Sequence, residues 1–275
     1  MPGTPSMTGS WVEHIRRQWT WRSWPRAFAL LPDLHGRTVL DLGCAAGDQA
    51  AALQARGARV IGIDASREML EAARARGIPG AVFEERDLRG PLGIETPVDG
   101  VWASFSAAYC TDLQAVLPSW TAALVPGGFV ALTEIDDLFG HEPVRPRTRE
   151  LFEAYARDAF AAGRYDFHMG GRLRRHLESA GFVVEAEESL PDLEFTFVGP
   201  AREDVLAAWR ERLDSMRLLP AFFGEEYGAV RDDFLACLAR PDHRARARVV
   251  CVVATRPSEG PASARRRSRS RSARA

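Results

Sequence analysis

The stretch Thr38-Val-Leu-Asp-Leu-Gly-Cys-Ala-Ala-Gly-Asp-Gln49 decides how the rest of the chain is read. Its apolar run, Val39, Leu40 and Leu42, ends in small residues and passes into an alanine-rich helical pattern over 50–55. That succession spells a buried strand, a tight turn and a helix. Glycine at 43 and 47 lets a ligand approach the backbone where a Cβ would otherwise stand. The helix that follows directs unpaired N–H groups at such a ligand. A second apolar strand, Arg59 to Asp64, ends in an acid 21 residues after Gly43. At that spacing a carboxylate can hold the ribose hydroxyls of a nucleoside-bearing cofactor.

The chemistry of the turn narrows the cofactor. A turn built for pyrophosphate reads G-x-G-x-x-G, whereas this one is Gly43-Cys44-Ala45-Ala46-Gly47-Asp48, with alanine at the middle position and an acid opening the helix. Asp48 sits where the positive end of the helix dipole would be offered to phosphate, and Asp41 adds negative charge just before the turn. S-adenosylmethionine carries no phosphate but does carry an ammonium and a sulfonium, and an acid-flanked turn suits it better than NAD.

Here the residues resemble a family. Val39-Leu-Asp-Leu-Gly-Cys-Ala-Ala-Gly47 resembles motif I of the class I S-adenosylmethionine-dependent methyltransferases, and Val60-Ile-Gly-Ile-Asp64 is similar to motif II. Arg86-Asp-Leu88, Asp99-Gly-Val-Trp-Ala-Ser104 and Leu124-Val-Pro-Gly-Gly-Phe-Val130 resemble the later strand-end signatures, in order, over about residues 36–134. The resemblance implies an α/β fold, a seven-stranded Rossmann-like methyltransferase sheet with its last strand antiparallel, and S-adenosylmethionine as cofactor. It implies cofactor contacts from Asp41, Gly43, Cys44, Ala45 and Gly47 in the first turn. Asp64, Ala65 and Met69 follow the second strand, Asp87 and Leu88 the third, and Ser104, Phe105 and Tyr109 the fourth. By the same analogy Asp87 accepts from the adenine amino group; by residue type alone it is equally a turn or capping acid.

Composition excludes several classes. The formal net charge is −1, but residues 265–275 hold six arginines and no acid, so the remainder carries 30 basic against 37 acidic residues, or −7. A body that acidic is not a nucleic-acid groove. The fourth strand also ends in Ser104-Phe-Ser-Ala107, where amino-methylating enzymes of nucleic-acid bases often carry Asn/Asp-Pro-Pro-Tyr/Phe. Cys44, Cys110, Cys237 and Cys251 lack Cys-x-x-Cys spacing and read as reduced thiols, neither a disulfide frame nor a metal site. With no signal-peptide pattern and no apolar run of membrane-spanning length, a cytoplasmic protein without a membrane segment is expected.

The chain divides into three parts. Residues 1–35 read as an N-terminal helical lid, residues 36–256 as the cofactor-binding domain, and residues 257–275 as a disordered Arg/Ser-rich tail. The lid carries Trp11, Trp19, Trp21 and Trp24, with Pro25 expected to break or restart its helix. These tryptophans either pin the segment to the domain or place Trp19 or Trp24 over the cofactor or an aromatic substrate. Helical cap insertions are expected at about 135–172 and 198–245, both emerging on the cofactor side of the sheet and able to enclose a small substrate. The aromatics of the second insertion alternatively supply a homodimer interface.

The densest polar cluster is Glu134, Asp136, Asp137, His141 and Glu142, followed by the loop Tyr165-Asp-Phe-His-Met169. His168 and His141 are the candidate general bases, because histidine titrates near neutrality, and Glu134 and Asp136 could orient one of them or hold substrate. The acids could equally bind a divalent ion through oxygen, or cap a helix and face water. The leading expectation is methyl transfer to an oxygen or nitrogen of a small molecule, such as a specialised metabolite. The alternatives are a non-methylating reaction on the same cofactor and a non-catalytic partner protein.

Overall fold

The computed structural model describes residues 16–258. Trp11, the rest of residues 1–15, and the tail from 259 onward lie outside the described residues, so the expectations placed on them stand outside the structure. Five parallel strands come first: β1 (Thr38–Leu42), β2 (Arg59–Asp64), β3 (Ala81–Glu85), β4 (Val98–Ser104) and β5 (Leu124–Asp136). A two-residue strand β6 (His141–Glu142) precedes β7 (Val183–Leu190), and β8 (Arg244–Ala245) precedes β9 (Arg248–Thr255). The main sheet runs β3-β2-β1-β4-β5-β9-β7, with β9 antiparallel to both its neighbours. This is the seven-stranded Rossmann-like order, with the last strand reversed as the motifs implied.

Strand alternation sorts the core into two faces. Val39, Trp102, Phe129, Ala131, Val249, Cys251 and Val253 face one way, and Leu40, Leu42, Val101, Val130, Leu132, Val250 and Val252 face the other. β1 is buried along its whole length, as a central strand covered on both sides must be. The second face is closed by the helices Leu113–Trp120 and Leu173–Ser179 through Leu113, Leu117, Trp120, Leu173 and Leu177. All four cysteines are free and buried among these apolar side chains.

The first face is covered by the N-terminal segment. Residues 16–19 are helical, the chain breaks at Thr20–Ser23, and a second helix, Trp24–Ala29, restarts with Pro25 in its first turn, where a missing N–H costs nothing. Phe28 stacks on Trp102 at 5.0 Å between centroids, and Trp24 meets the same indole at 6.4 Å. Burial of Phe28 alone contributes about 2–3 kcal/mol. The tryptophans therefore pin this segment into the core, and Trp19 stacks on Trp24 at 5.3 Å from the outer side.

The cap departs from the all-helical expectation. Its first insertion holds β6 and the helix Pro146–Ala161; its second holds the helices Glu203–Ser215, Leu218–Phe223 and Tyr227–Leu238 together with β8. β6 and β8 pair antiparallel and stitch the two insertions into one body. Two residues per strand are too few to show period-two patterning, which is why the sequence reads only helices there. Phe139, Phe152, Trp209, Phe223 and Phe234 are buried in the same cluster as the first face of the sheet. Those five aromatics are buried within one chain, while Leu218 and Phe222 of the second insertion are exposed. Among the described residues no helix is long and apolar enough to cross a membrane.

Candidate active site

The carboxyl ends of β1, β2, β3 and β4 converge on one cleft. The turn after β1 is held flat against β2 by hydrogen bonds from Gly43 N and Cys44 N to Ile63 O, at 2.8 and 3.0 Å. Gly43 has φ of 78°, and a Cβ there would stand 2.6 Å from Ser106 Cβ, so the residue must be glycine. Ala45, at the position of the missing middle glycine, also takes a positive φ of 43°. That strain is offset by its N–H, which donates to Asp64 Oδ2 at 2.9 Å. Asp64 Oδ1 accepts from Ser66 N at 2.8 Å, and the Ser66 hydroxyl accepts from Met69 N at 3.3 Å. One carboxylate thus joins the two turns that border the cleft and retains lone pairs for ligand hydroxyls. Burial raises the Asp64 pKa against these backbone donors. Ala65 is exposed at the cleft, whereas Met69 is buried at the start of the helix Arg67–Ala75.

Asp41 lies in the buried strand beneath the turn. Its Oδ2 has no hydrogen-bond partner among the described residues, and burial together with the neighbouring Asp64 charge pushes its pKa up to about 8. A buried carboxyl oxygen left unpaired is costly and marks a place where a cation or donor from outside the chain fits. Asp48 does not face a phosphate site as drawn from the sequence; it pairs with Arg76 at 2.5 Å. Asp87 is held by Arg89 through backbone and guanidinium, which lowers its pKa, so in this state it acts as a turn acid. Leu88 approaches the Gly43 turn with its side chain while its carbonyl accepts from the Trp120 indole at 2.8 Å.

After β4 the chain turns sharply at Phe105, which takes φ of 53°. The Ser106 hydroxyl donates to Leu42 O at 2.9 Å, locking this turn to the first. Ser104 Oγ is buried without a partner among the described residues, a second open polar group at the cleft. Tyr109 is 59 % exposed and meets Tyr165 edge to face at 5.0 Å. Glu134 on β5 is fully buried and accepts from Ala108 N at 3.0 Å and from Ile135 N. Burial lifts its pKa to about 7 against those bonds. It positions the loop that carries Tyr109 and does not stand free as a base.

The remaining catalytic candidates separate. His168 Nδ1 lies 3.6 Å from Asp136 Oδ1, and that contact raises the histidine pKa. Asp136 also takes Arg248 at 2.5 Å, which helps hold its pKa low despite partial burial. His141 borders the same small cavity as His168, but its ring is sunk into the cap. It is buried in the cap, with Trp209, Phe234 and Phe197 around its ring, and its Nδ1 lies 2.9 Å from His243 Nε2. His141 is therefore corrected from a base to a structural residue that ties the first insertion to the second. The sequence pattern placed it beside the acids, but the chain folds back between Asp137 and Gly140 and carries it into the cap core.

That histidine pair has a measurable consequence. Burial and the facing His243 pull the His141 pKa down to about 3 from an ordinary value of 6.5. The folded state keeps the ring neutral while the unfolded chain takes a proton below pH 6.5, so this contribution to stability is intact above 6.5 and lost as pH falls toward 3. Urea titrations should show stability falling by about 1.4 kcal/mol per pH unit below 6 on account of His141. His141→Phe should flatten that slope, and an unchanged slope would place the acid sensitivity elsewhere.

Sequence reasoning missed a second buried cluster at the same end. Arg22 donates to Asp192 at 2.9 Å and to Glu194 at 2.7 Å, and Arg212 donates to Glu194 at 2.6 Å. Despite burial, the two carboxylates hold the Arg22 pKa above its ordinary value, and Arg212 and Arg22 hold that of Glu194 below its own. Arg22 also lies over Phe195 and Phe105, at 4.4 and 5.1 Å from their centroids. The cluster fastens the N-terminal segment to the start of the second insertion, aided by the bond from Leu193 N to Trp21 O. Its members are 170 residues or more apart for the Arg22 bonds, and the sequence offers only an unremarked acid pair in a linker as its signal.

Comparison with known proteins agrees with this geometry. Residues 39–128 match the family described as methyltransferase domain. The stretch is similar to a methyltransferase domain, and the sheet around it has the class I methyltransferase fold. S-adenosylmethionine is the cofactor that this match supports. The chain is 34 % identical over 148 residues to a trans-aconitate 2-methyltransferase of Methylobacterium radiotolerans, covering 53 % of this chain and 54 % of the relative. The chain thus spans about half the length of the curated relatives it matches. The structure of an S-adenosylmethionine-dependent methyltransferase from Mesorhizobium loti superposes with a TM-score of 0.51 at 23 % identity, over 85 % of this chain and 97 % of that one. The cyclase SpnF superposes at 0.53 with 17 % identity, over 85 % and 81 %. The methyltransferase domain supplies every strand end that forms the cleft described above, while the cap and the Arg22 cluster lie beyond residues 39–128. Among the described residues no group of three or more His, Cys, Asp or Glu is placed to hold a metal ion.

Proposed function

We propose that this chain transfers a methyl group from S-adenosylmethionine to an oxygen or nitrogen of a small molecule. The observation that carries the reading is the acid pair at the first turn: Asp41, buried with one oxygen unpaired, and Asp64, bridging the two turns with lone pairs to spare. Such a site favours a cationic, hydroxyl-bearing ligand and disfavours a pyrophosphate. Asp41 would face the ammonium end, Gly43, Cys44, Ala45 and Gly47 would form the backbone cradle, and Asp64 would take the ribose hydroxyls. Ala65, Met69, Asp87 and Leu88 would border the adenine, with Asp87 first releasing Arg89, while Ser104, Phe105 and Tyr109 would line the path to the acceptor. The bound cofactor supplies an activated methyl group, which passes to an acceptor lone pair as the carbon–sulfur bond breaks with its electrons kept by sulfur.

The protein's task is then alignment, exclusion of water and removal of a proton. The cap that covers this side, sharing its core with the sheet, favours a small enclosed substrate over a polymer. The relatives named for trans-aconitate are in keeping with small-molecule metabolism, and a specialised metabolite in the cytoplasm is the finer form of the same reading. Because His168 is half-exposed and oriented by Asp136, it is the side chain suited to take a proton from a hydroxyl or amine acceptor. Trp19 remains at the rim, stacked on Trp24, as part of the cover.

The fold alone does not settle methylation, since a cyclase shares it, so the test reads the chemistry. Protein incubated with S-adenosylmethionine and a library of small acids, alcohols and amines should release S-adenosylhomocysteine in proportion to methylated product. Product formed without S-adenosylhomocysteine sinks the methyl-transfer reading in favour of a rearrangement. In the same assay His168→Asn should lower turnover about 100-fold or more and remove the acid limb of the pH profile. Unchanged turnover would mean that the acceptor arrives already ionised and His168 is not its base.

A further inference from the structure

The second cap insertion brings to the carboxyl end of β4 a guanidinium whose hydrogen-bonding capacity is only partly used. Arg212 spends Nη2 on Glu194 Oε1 at 2.6 Å. Its Cζ lies 5.2 Å over the Phe195 ring and 5.4 Å over Trp209, so the guanidinium plane is fixed by aromatic faces. Its Nε is buried and has no hydrogen-bond partner among the described residues. A buried donor without an acceptor is rare in folded proteins and points to a group supplied from outside the chain. The ring that carries Arg212, Phe195, meets Phe105 at 6.4 Å between centroids, which places this donor beside the cleft.

Charge balance limits what can be taken there. Arg22 and Arg212 face Asp192 and Glu194, two cations against two anions, so the cluster offers no surplus positive charge. Three further arginines are committed as well: Arg172 to Asp166, Arg248 to Asp136, and Arg246 to Asp137 and Glu142. A ligand with several carboxylates would leave them desolvated without cations of their own. A single carboxylate can use the Arg212 Nε and the guanidinium edge that Glu194 leaves open. Its surroundings are aromatic, with Phe195 and Trp209 under the guanidinium and Phe105 against Phe195, offering flat faces rather than further donors.

We infer that the acceptor substrate is a monocarboxylic acid with a flat, apolar body, anchored by its carboxylate on Arg212 with the body against the aromatic rings at the end of β4. The inference rests on the methyl-transfer reading. It separates this chain from relatives named for trans-aconitate, which carries three carboxylates.

Calorimetry on the full-length protein saturated with S-adenosylhomocysteine tests it, using benzoate, cinnamate and 2-naphthoate as probes beside cinnamyl alcohol and trans-aconitate. At least one aromatic monocarboxylate should bind, with cinnamyl alcohol and trans-aconitate tenfold or more weaker. Arg212→Lys keeps a cation for Glu194 but lacks the Nε donor; it should hold its melting temperature and lose tenfold or more in affinity for the monocarboxylate. Arg210→Lys, on the exposed side of the same helix, should leave that affinity unchanged and controls for helix perturbation. Tighter binding of trans-aconitate, no binding of any monocarboxylate, or full affinity in a folded Arg212→Lys protein overturns the inference alone. Failure of S-adenosylhomocysteine itself to bind overturns the methyl-transfer reading, and this inference with it.

Discussion

Glu194→Ala is expected to destabilise the fold by about 3–5 kcal/mol, the range for removing one partner from a buried ion cluster. Glu194 is 0 % exposed and accepts from both Arg22 and Arg212. Without it, Arg212 loses its ion-pair partner and Arg22 keeps Asp192 alone, and the buried Arg22 cannot turn to bulk water without opening the seam between the N-terminal segment and the cap. The seam is also held by the bond from Ser23 Oγ to Pro191 O and by the short bridge of Arg22 with Asp192, so the loss should spread to both. Denaturant unfolding followed by tryptophan fluorescence suits the measurement, because Trp24 and Trp209 both lie near the cluster. The double variant Arg22→Met with Glu194→Leu should cost less than the two single changes added together, since both single changes break the same Arg22–Glu194 pair. A loss below about 1 kcal/mol for Glu194→Ala would mean that water enters the seam and that the cluster behaves as a surface pair.

Asp64→Ala is expected to weaken S-adenosylmethionine binding about 100-fold or more, equivalent to about 3 kcal/mol. The carboxylate has two jobs. On the proposed reading it offers acceptors to the ribose, and it ties Ala45 N to Ser66 N across the cleft. Alanine removes both, leaving the positive-φ Ala45 without the bond that offsets its backbone strain. Asp64→Asn separates the two jobs. It keeps the shape and one acceptor, but its amide must face one of the two backbone donors, so it should fall between wild type and alanine. Calorimetric titration with S-adenosylmethionine reads the affinity, and thermal unfolding reads the cost to the turns. Equal affinity in wild type and Asp64→Ala would remove Asp64 from the cofactor site and leave it as a loop tie.

Much of the cleft was legible in the chain because its determinants are local. The strand, glycine turn and helix at 38–54 each depend on residues within a few positions of one another, and so do Asp64 after β2 and Asp87 after β3. A positive φ at Gly43 or an acid at a strand end is written where it acts. The cap was less legible. Its helices carried a usable apolar pattern, but β6 and β8 did not, because two residues cannot display an alternation. His141 illustrates the limit. A histidine among acids in the sequence reads as a base, yet a fold-back at Asp137–Gly140 moves it into an aromatic core against a histidine 102 positions away.

By itself, the sequence determined the sheet, its order of strand-end motifs and a cofactor cleft suited to a cation, since each follows from short-range patterning and residue chemistry. Only the tertiary structure decided which charged groups meet. Arg22, Asp192, Glu194 and Arg212 come from the N-terminal segment, the linker after β7 and a cap helix, and their partnership exists only once those pieces are packed together. Electrostatic energy in a low-dielectric interior depends on distances in space, which no spacing along the chain encodes.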